Sequence, residues 1–226
     1  MSARIDADAV VFDAYGTLFD VASAAQRHAS RVGADWPKLA ELWRQKQLQY
    51  TWLRSLMGQH ADFWHVTGEA LDFTLAALGR DDPALRAALM EQYLALDAYP
   101  DVKPALQTLR GAGKKVATLS NGSPTMLIAA LNSAGIAQLM ERPLSVEDVG
   151  VYKPAPAVYK LAVDRLGVPA ARICFVSANG WDAWAGAAYG FRAVWINRTQ
   201  APPERLPGTP AAIVHGVGDV PALLGL

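Results

Sequence analysis

The chain's 226 residues carry 21 Lys+Arg against 21 Asp+Glu, a formal net charge of zero that offers nucleic acid or an anionic membrane no electrostatic footprint. Composition that is 52% hydrophobic and 19% charged excludes a disordered chain, and the length suits one domain with an insertion, or two small ones. A single cysteine, Cys174, excludes a disulfide framework and a multi-cysteine metal site, and no apolar run reaches the roughly 20 residues that span a bilayer.

The first apolar run is Ala9-Val10-Val11-Phe12, a buried strand ending on Asp13 and followed by a Gly16 turn and Thr17. The run is short and Asp6, Asp8 and Asp13 break it up, so no signal peptide is expected and a cytoplasmic location is the default expectation. From about Val21 to Leu96 helical spacing dominates. Leu39, Leu42/Trp43, Tyr50, Leu53 and Met57 share one face. Phe63, Val66, Ala70, Phe73 and Ala77 form a second stripe over Asp62 to Leu78, closed by Gly79. Asp82-Pro83 opens a third helix with Leu85, Leu89, Tyr93 and Leu96.

From Asp97 helices and strands alternate. Helices are expected at Val102 to Arg110, Ser123-Pro124 to Ala134, Pro154 to Leu166 and Trp181 to Tyr189, with a short one near Val220 to Leu224. Strands are expected at Lys115 to Gly122, Glu141 to Ser145, Arg172 to Ser177, Arg192 to Ile196 and Ala211 to Val214. Cys174 falls inside one of them, as an inert core thiol. Asn197 to Pro210, with four prolines, is a surface loop, and there is no internal repeat. The pattern implies an α/β fold: a doubly wound, mostly parallel sheet with a Rossmann-like core over 1–20 and 97–226, and an inserted all-helical block over 21–96.

Parallel strands in one sheet bring their carboxyl ends to one edge. Asp13, Ser120-Asn121, Lys153 and Ser177 through Asp182 all fall there, and their convergence is the main sign of a site. Singly, each has a structural reading. Asp13 could be a turn residue or a nucleophile. Ser120 and Asn121 could cap a helix or present an anion site, and Asp182 suits a helix N-terminus. Lys153 sits beside the start of a helix, where the macrodipole costs a cation roughly 0.3–1 kcal/mol. It could point away, or be repaid by an anion such as Asp13. Arg44 shares a helix side with Leu48 and Trp52, near Gln45. It could snorkel at the surface or point into a closed apolar site. His28, His60, His65 and His215 have no zinc spacing and read as structural or solvated.

Taken in order, Asp13-Ala14-Tyr15-Gly16-Thr17, Ser120-Asn121-Gly122, Tyr152-Lys153-Pro154 and Ser177 through Asp182 resemble the four motifs of the haloacid dehalogenase-like superfamily. Leu42 to Arg54 is similar to the cap helix of its L-2-haloacid dehalogenases, a resemblance that makes the helical block over 21–96 a cap subdomain. The departure from the superfamily's phosphatases is Tyr15. Those enzymes place there an Asp that protonates a leaving alkoxide, whereas a phenol of pKa near 10 donates poorly and a halide needs no proton. Ser177 and Asn179 also make the last motif poor in acid for a magnesium site.

The resemblance implies that Asp13 attacks C2 of an L-2-haloacid, expels halide with inversion and forms an ester. It implies Thr17, Lys153 and Tyr159 as supports of Asp13, and Ser120 with the backbone around Asn121 as the substrate-carboxylate site. Arg44 and Asn179 would receive the halide, and Tyr15, Gln45, Leu48, Phe63 and Trp181 would line the pocket. Water positioned or deprotonated by Asp182, with Ser177 and Asn179, would then release a D-2-hydroxyacid. No metal or organic cofactor is implied. Family members are commonly homodimers, and seven tryptophans and long cap helices leave room for an apolar interface. A metal-dependent phosphatase or other hydrolase, or a non-catalytic binding protein on the same fold, is the competing reading.

Overall fold

The computed structural model describes residues 4–226. Ala9–Phe12 forms β1, a strand with every residue buried, as its unbroken apolar run requires. A helical segment follows: α1 (Ser23–Arg27), α2 (Ala29–Val32), α3 (Trp36–Met57), α4 (Phe63–Ala77) and α5 (Pro83–Tyr93). The chain then alternates through α6 (Val102–Gly111), β2 (Lys115–Ser120), α7 (Pro124–Ser133), β3 (Leu144–Ser145), α8 (Pro156–Leu166), β4 (Ile173–Ser177), α9 (Gly180–Tyr189), β5 (Arg192–Ile196), β6 (Ala212–Val214) and α10 (Val220–Leu223).

The six strands form one parallel sheet in the order β3-β2-β1-β4-β5-β6. That order reverses direction between β1 and β4, where a doubly wound sheet opens its crevice beyond the carboxyl ends. Val10 pairs with Val116 on one side and Cys174 on the other, which places β1 at the centre of the core. Burial pushes the Cys174 thiol up to about 12.

The helical segment leaves and rejoins the sheet domain at one place. Asp20 N–H donates to Asp97 O at 2.8 Å and Tyr99 N–H to Leu18 O at 3.0 Å. Asp62 and Asp82 cap α4 and α5 through their side chains.

Several local expectations change in the folded chain. The buried stripe of α3 is Leu39, Trp43, Gln47 and Thr51, while Leu53 and Met57 are exposed. In α4 the buried side passes through Thr67, Leu71 and Thr74 rather than Phe73 and Ala77. Both faces are decided by where α3 and α4 meet, and polar residues occupy that seam. The strand expected over Glu141 to Ser145 narrows to two residues. Helix α8 begins at Pro156, not Pro154, because Ala155 precedes a proline and is held extended at φ −60°, ψ 131°. Lys153 therefore stands before the helix, and the dipole cost expected for it does not apply.

Candidate active site

Asp13 follows β1 directly. Its backbone N–H bonds Val176 O at 2.9 Å, which ties it to the adjoining β4. Gly16, at φ +88°, turns the chain so that Thr17 comes back under the carboxylate. Thr17 Oγ1 donates to Asp13 Oδ2 at 3.0 Å and accepts from Ala178 N–H at 2.8 Å. Asn179, just before α9, donates through Nδ2 to Asp13 Oδ2 at 2.7 Å and to Tyr15 O at 3.1 Å. Among the described residues, Oδ1 accepts only from Lys153 Nζ, at 3.3 Å. Two close donors thus fix Oδ2 and leave Oδ1 the freer oxygen.

Lys153 is buried between two carboxylates. Its Nζ also donates to Asp182 Oδ2 at 2.8 Å, and Tyr159 OH donates to Asp182 Oδ1 at 2.8 Å. Burial acts on Lys153 in the lowering sense, but Asp13 and Asp182 outweigh it and hold the ammonium above its ordinary value. Burial pushes the Asp182 carboxyl up, with Lys153 opposing and Asp13 reinforcing. Tyr159 is pushed up by burial and then by Asp182, so it remains a neutral donor. The cluster is a buried cation held charged by two acids.

Asn121 Oδ1 accepts from Lys153 N–H at 3.1 Å, and Ser120 Oγ accepts from Gly122 N–H at 3.1 Å. Neither caps α7; Ser123 does. Gly122 admits no side chain, since a Cβ would lie 2.6 Å from Tyr15 Cε2. The Tyr15 ring is sealed in, stacked on Tyr93 at 5.5 Å, and its hydroxyl is buried without a partner. Burial raises its pKa well above 10, so it is a poorer acid than a free phenol.

Arg44 enters from α3. Its Nη2 donates to Tyr15 O at 3.2 Å and Asn179 Oδ1 at 3.3 Å, and its Nη1 to Gln47 Oε1 at 2.7 Å. Of the two readings open in the sequence, the inward one is the observed one. Asp13, Tyr15, Arg44, Leu48, Phe63, Ser120, Asn121, Lys153, Asn179 and Trp181 line a closed cavity of about 10 Å³, barely the space of one water. Beyond Lys153 and Trp181 lies an open, mostly apolar groove of about 900 Å³.

Not every expected residue reaches that cavity. Gln45 is exposed, because α3 turns it away from the sheet domain, and it lines nothing here. Asp182 and Tyr159 stand behind Lys153, and Ser177 Oγ is engaged with Asn179 N–H at 3.2 Å. His60 pairs with Glu147 at 2.9 Å across the join of the two parts. Sequence reasoning missed four residues around the site. Gln47 and Tyr93 support Arg44. Tyr152 clasps the helical segment by bonding Ser55 Oγ and Ala61 O, and Arg198 bonds Gly16 O and Thr17 O while lying 3.7 Å over the Tyr99 ring. Gln47 was signalled only by standing four residues after Trp43 and eight after Leu39, and its polarity hid it.

A buried carboxylate after the first strand, a threonine beneath it, a lysine beside it and a helical insertion above it define a class of hydrolase. The chain belongs to the haloacid dehalogenase-like hydrolase family, whose model matches residues 7–190. Within that family it stands with the L-2-haloacid dehalogenases. It is 49% identical over 197 residues to (S)-2-haloacid dehalogenase 4A of Burkholderia cepacia, covering 87% of this chain and 85% of that one. It superimposes on a dehalogenase crystal structure with an intermediate complex at TM-score 0.96 and 44% identity, over 98% and 99% of the two chains. An L-2-haloacid dehalogenase from Xanthobacter autotrophicus with chloropropionic acid covalently bound matches at TM-score 0.89 and 38% identity, over 97% and 98%.

Proposed function

We propose that this protein hydrolyses short-chain L-2-haloacids to D-2-hydroxyacids through an ester on Asp13. The observation that carries the reading is the pairing of a buried nucleophile with an absent acid: Asp13 is held between Lys153, Thr17 and Asn179, and two residues on stands Tyr15, whose raised pKa leaves no proton donor for an alkoxide. A halide leaves without a proton, so the site suits a carbon–halide bond better than a phosphate ester.

Asp13 Oδ1 attacks C2 from the face opposite the halogen. The new O–C2 bond forms as the carbon–halogen bond breaks, and the halide departs with the electron pair toward Arg44 and Asn179. Ser120 and the backbone around Asn121 hold the substrate carboxylate, while Tyr15, Leu48, Phe63 and Trp181 surround the alkyl group and halogen. Thr17 and Lys153 hold Asp13 aimed at C2. Water then adds to Cγ of Asp13, with Asp182 acting through Lys153 and Ser177 through Asn179 to hold the site around it. Breaking the acyl–oxygen bond restores the carboxylate and releases the hydroxyacid, whose departing oxygen takes one of the attacking water's protons while the other is lost to solvent.

Residues 21–96 serve as a cap that must part from the core (1–20 and 97–226) to admit substrate, since the closed cavity holds barely a water. The working unit is a cytoplasmic homodimer. Among the described residues no helix is long and apolar enough to cross a membrane.

Halide release from L- and D-2-chloropropionate without added metal, beside aryl phosphate hydrolysis with magnesium, tests the reading. Halide is expected from the L-isomer alone; phosphate release without halide would overturn it. In a single turnover in oxygen-18 water the product should be unlabelled, because its oxygen comes from Asp13.

A further inference from the structure

We propose that Gln47 is the positioning residue for the halide end of the site: a neutral, buried acceptor that aims Arg44 without consuming its charge. The inference rests on the reading of Arg44 as receiver of the halide.

Gln47 is 1% exposed, and both ends of its amide are hydrogen-bonded. Oε1 accepts from Arg44 Nη1 at 2.7 Å and from Tyr93 OH at 3.1 Å, while Nε2 donates to Thr67 Oγ1 at 2.7 Å. Thr67 Oγ1 in turn donates to Phe63 O at 2.6 Å, one turn earlier in α4. The chain of bonds has a single direction. Reversing the amide would set its NH2 against the Arg44 guanidinium and the Tyr93 hydroxyl, so the partners determine which atom faces Arg44. Such a network specifies one arrangement when every member is satisfied, and here each named polar atom has its partner.

The chemistry of the acceptor matters as much as its place. A carboxylate would make a stronger, charge-assisted bond to Arg44, and would oppose the positive field that a departing halide needs. Glutamine supplies direction alone. With Nη1 held by the cap interior, Nη2 is left facing Tyr15 O and Asn179, beside Asp13. The same network ends on the backbone of Phe63, a wall of the cavity. The two ends of the pocket, for halide and alkyl group, are thereby fixed to one buried frame.

Leaving-group dependence separates this from a structural role. Chloride is a poorer leaving group than bromide and gains more from Arg44 in the transition state. Single-turnover halide release, with enzyme in excess, is measured for L-2-chloropropionate and L-2-bromopropionate. Gln47→Glu, which keeps the contact and neutralises the charge, and Gln47→Met, which removes the contact, should each raise the bromide-to-chloride rate ratio about tenfold. Tyr93→Phe, which removes one donor, should raise it about twofold and carries the same readout should a position-47 variant not fold. A residue that only supports folding would lower both rates by one factor. A ratio unchanged in the folded variants overturns the proposal. Absence of halide release from the wild type, read first, would instead overturn the functional reading and this inference with it.

Discussion

Lys153 Nζ and Asp182 Oδ2 lie 2.8 Å apart with both side chains out of contact with solvent. The same ammonium reaches Asp13 at 3.3 Å, so one cation offsets two buried acids. Removing it as Lys153→Met leaves both carboxylates uncompensated and should cost about 3–5 kcal/mol of stability, read by urea denaturation, together with all halide release. Asp182→Asn leaves the Asp13 partner in place. It should cost less stability and lower kcat roughly 10²-fold by loosening Lys153. Equal stability of Lys153→Met and wild type would contradict the account.

The alkaline limb of stability follows from the same cation. The folded value of Lys153 is raised above 10.5. Its contribution is therefore complete below pH 10.5 and is lost as pH climbs through the folded value. Urea midpoints taken across that range should fall more steeply for wild type than for Lys153→Met; parallel slopes would count against it.

Tyr15 carries a hydroxyl that is buried and unpartnered. An unsatisfied buried donor costs about 1–3 kcal/mol. Tyr15→Phe should accordingly raise the thermal midpoint by about 2–4 °C for each kcal/mol regained, with halide release retained. A fall in stability would show that the hydroxyl has a partner in solution.

Trp181 separates the small cavity from the apolar groove and meets Trp52 edge-on, centroids 5.4 Å apart. Trp181→Ala should join the two spaces. Activity on L-2-bromohexanoate relative to L-2-bromopropionate is then expected to rise about 10–200-fold, the range one methylene commands in an apolar pocket. An unchanged ratio of kcat/KM would mean the groove is not reached from Asp13.

Cys174 sits in β4 with no exposure, its thiol pushed up to about 12. Thiolate is the reactive form, so iodoacetamide at pH 8 should label the protein only after denaturation. Rapid labelling of the folded enzyme would reveal local opening of the sheet.

The sequence by itself determined the order of elements and the strand ends beside which Asp13, Ser120 and Asn179 sit, whereas Lys153 lies in the loop before α8. Apolar runs, proline and glycine punctuation and parallel-sheet geometry are local or topological rules that need no knowledge of packing. It also carried Tyr15, whose chemistry excludes the acid a phosphatase needs. What the tertiary structure alone decided is which side of each inserted helix faces inward. Helix α3 bears Gln45 and Gln47 two residues apart, and periodicity cannot choose between two glutamines when the buried seam is polar. The choice falls to Thr67 and Tyr93, brought from α4 and α5, which give one amide its bonds and leave the other in solvent. The inward turn of Arg44 was decided in the same way, by acceptors on Tyr15 and Asn179 that the strand ends bring to α3.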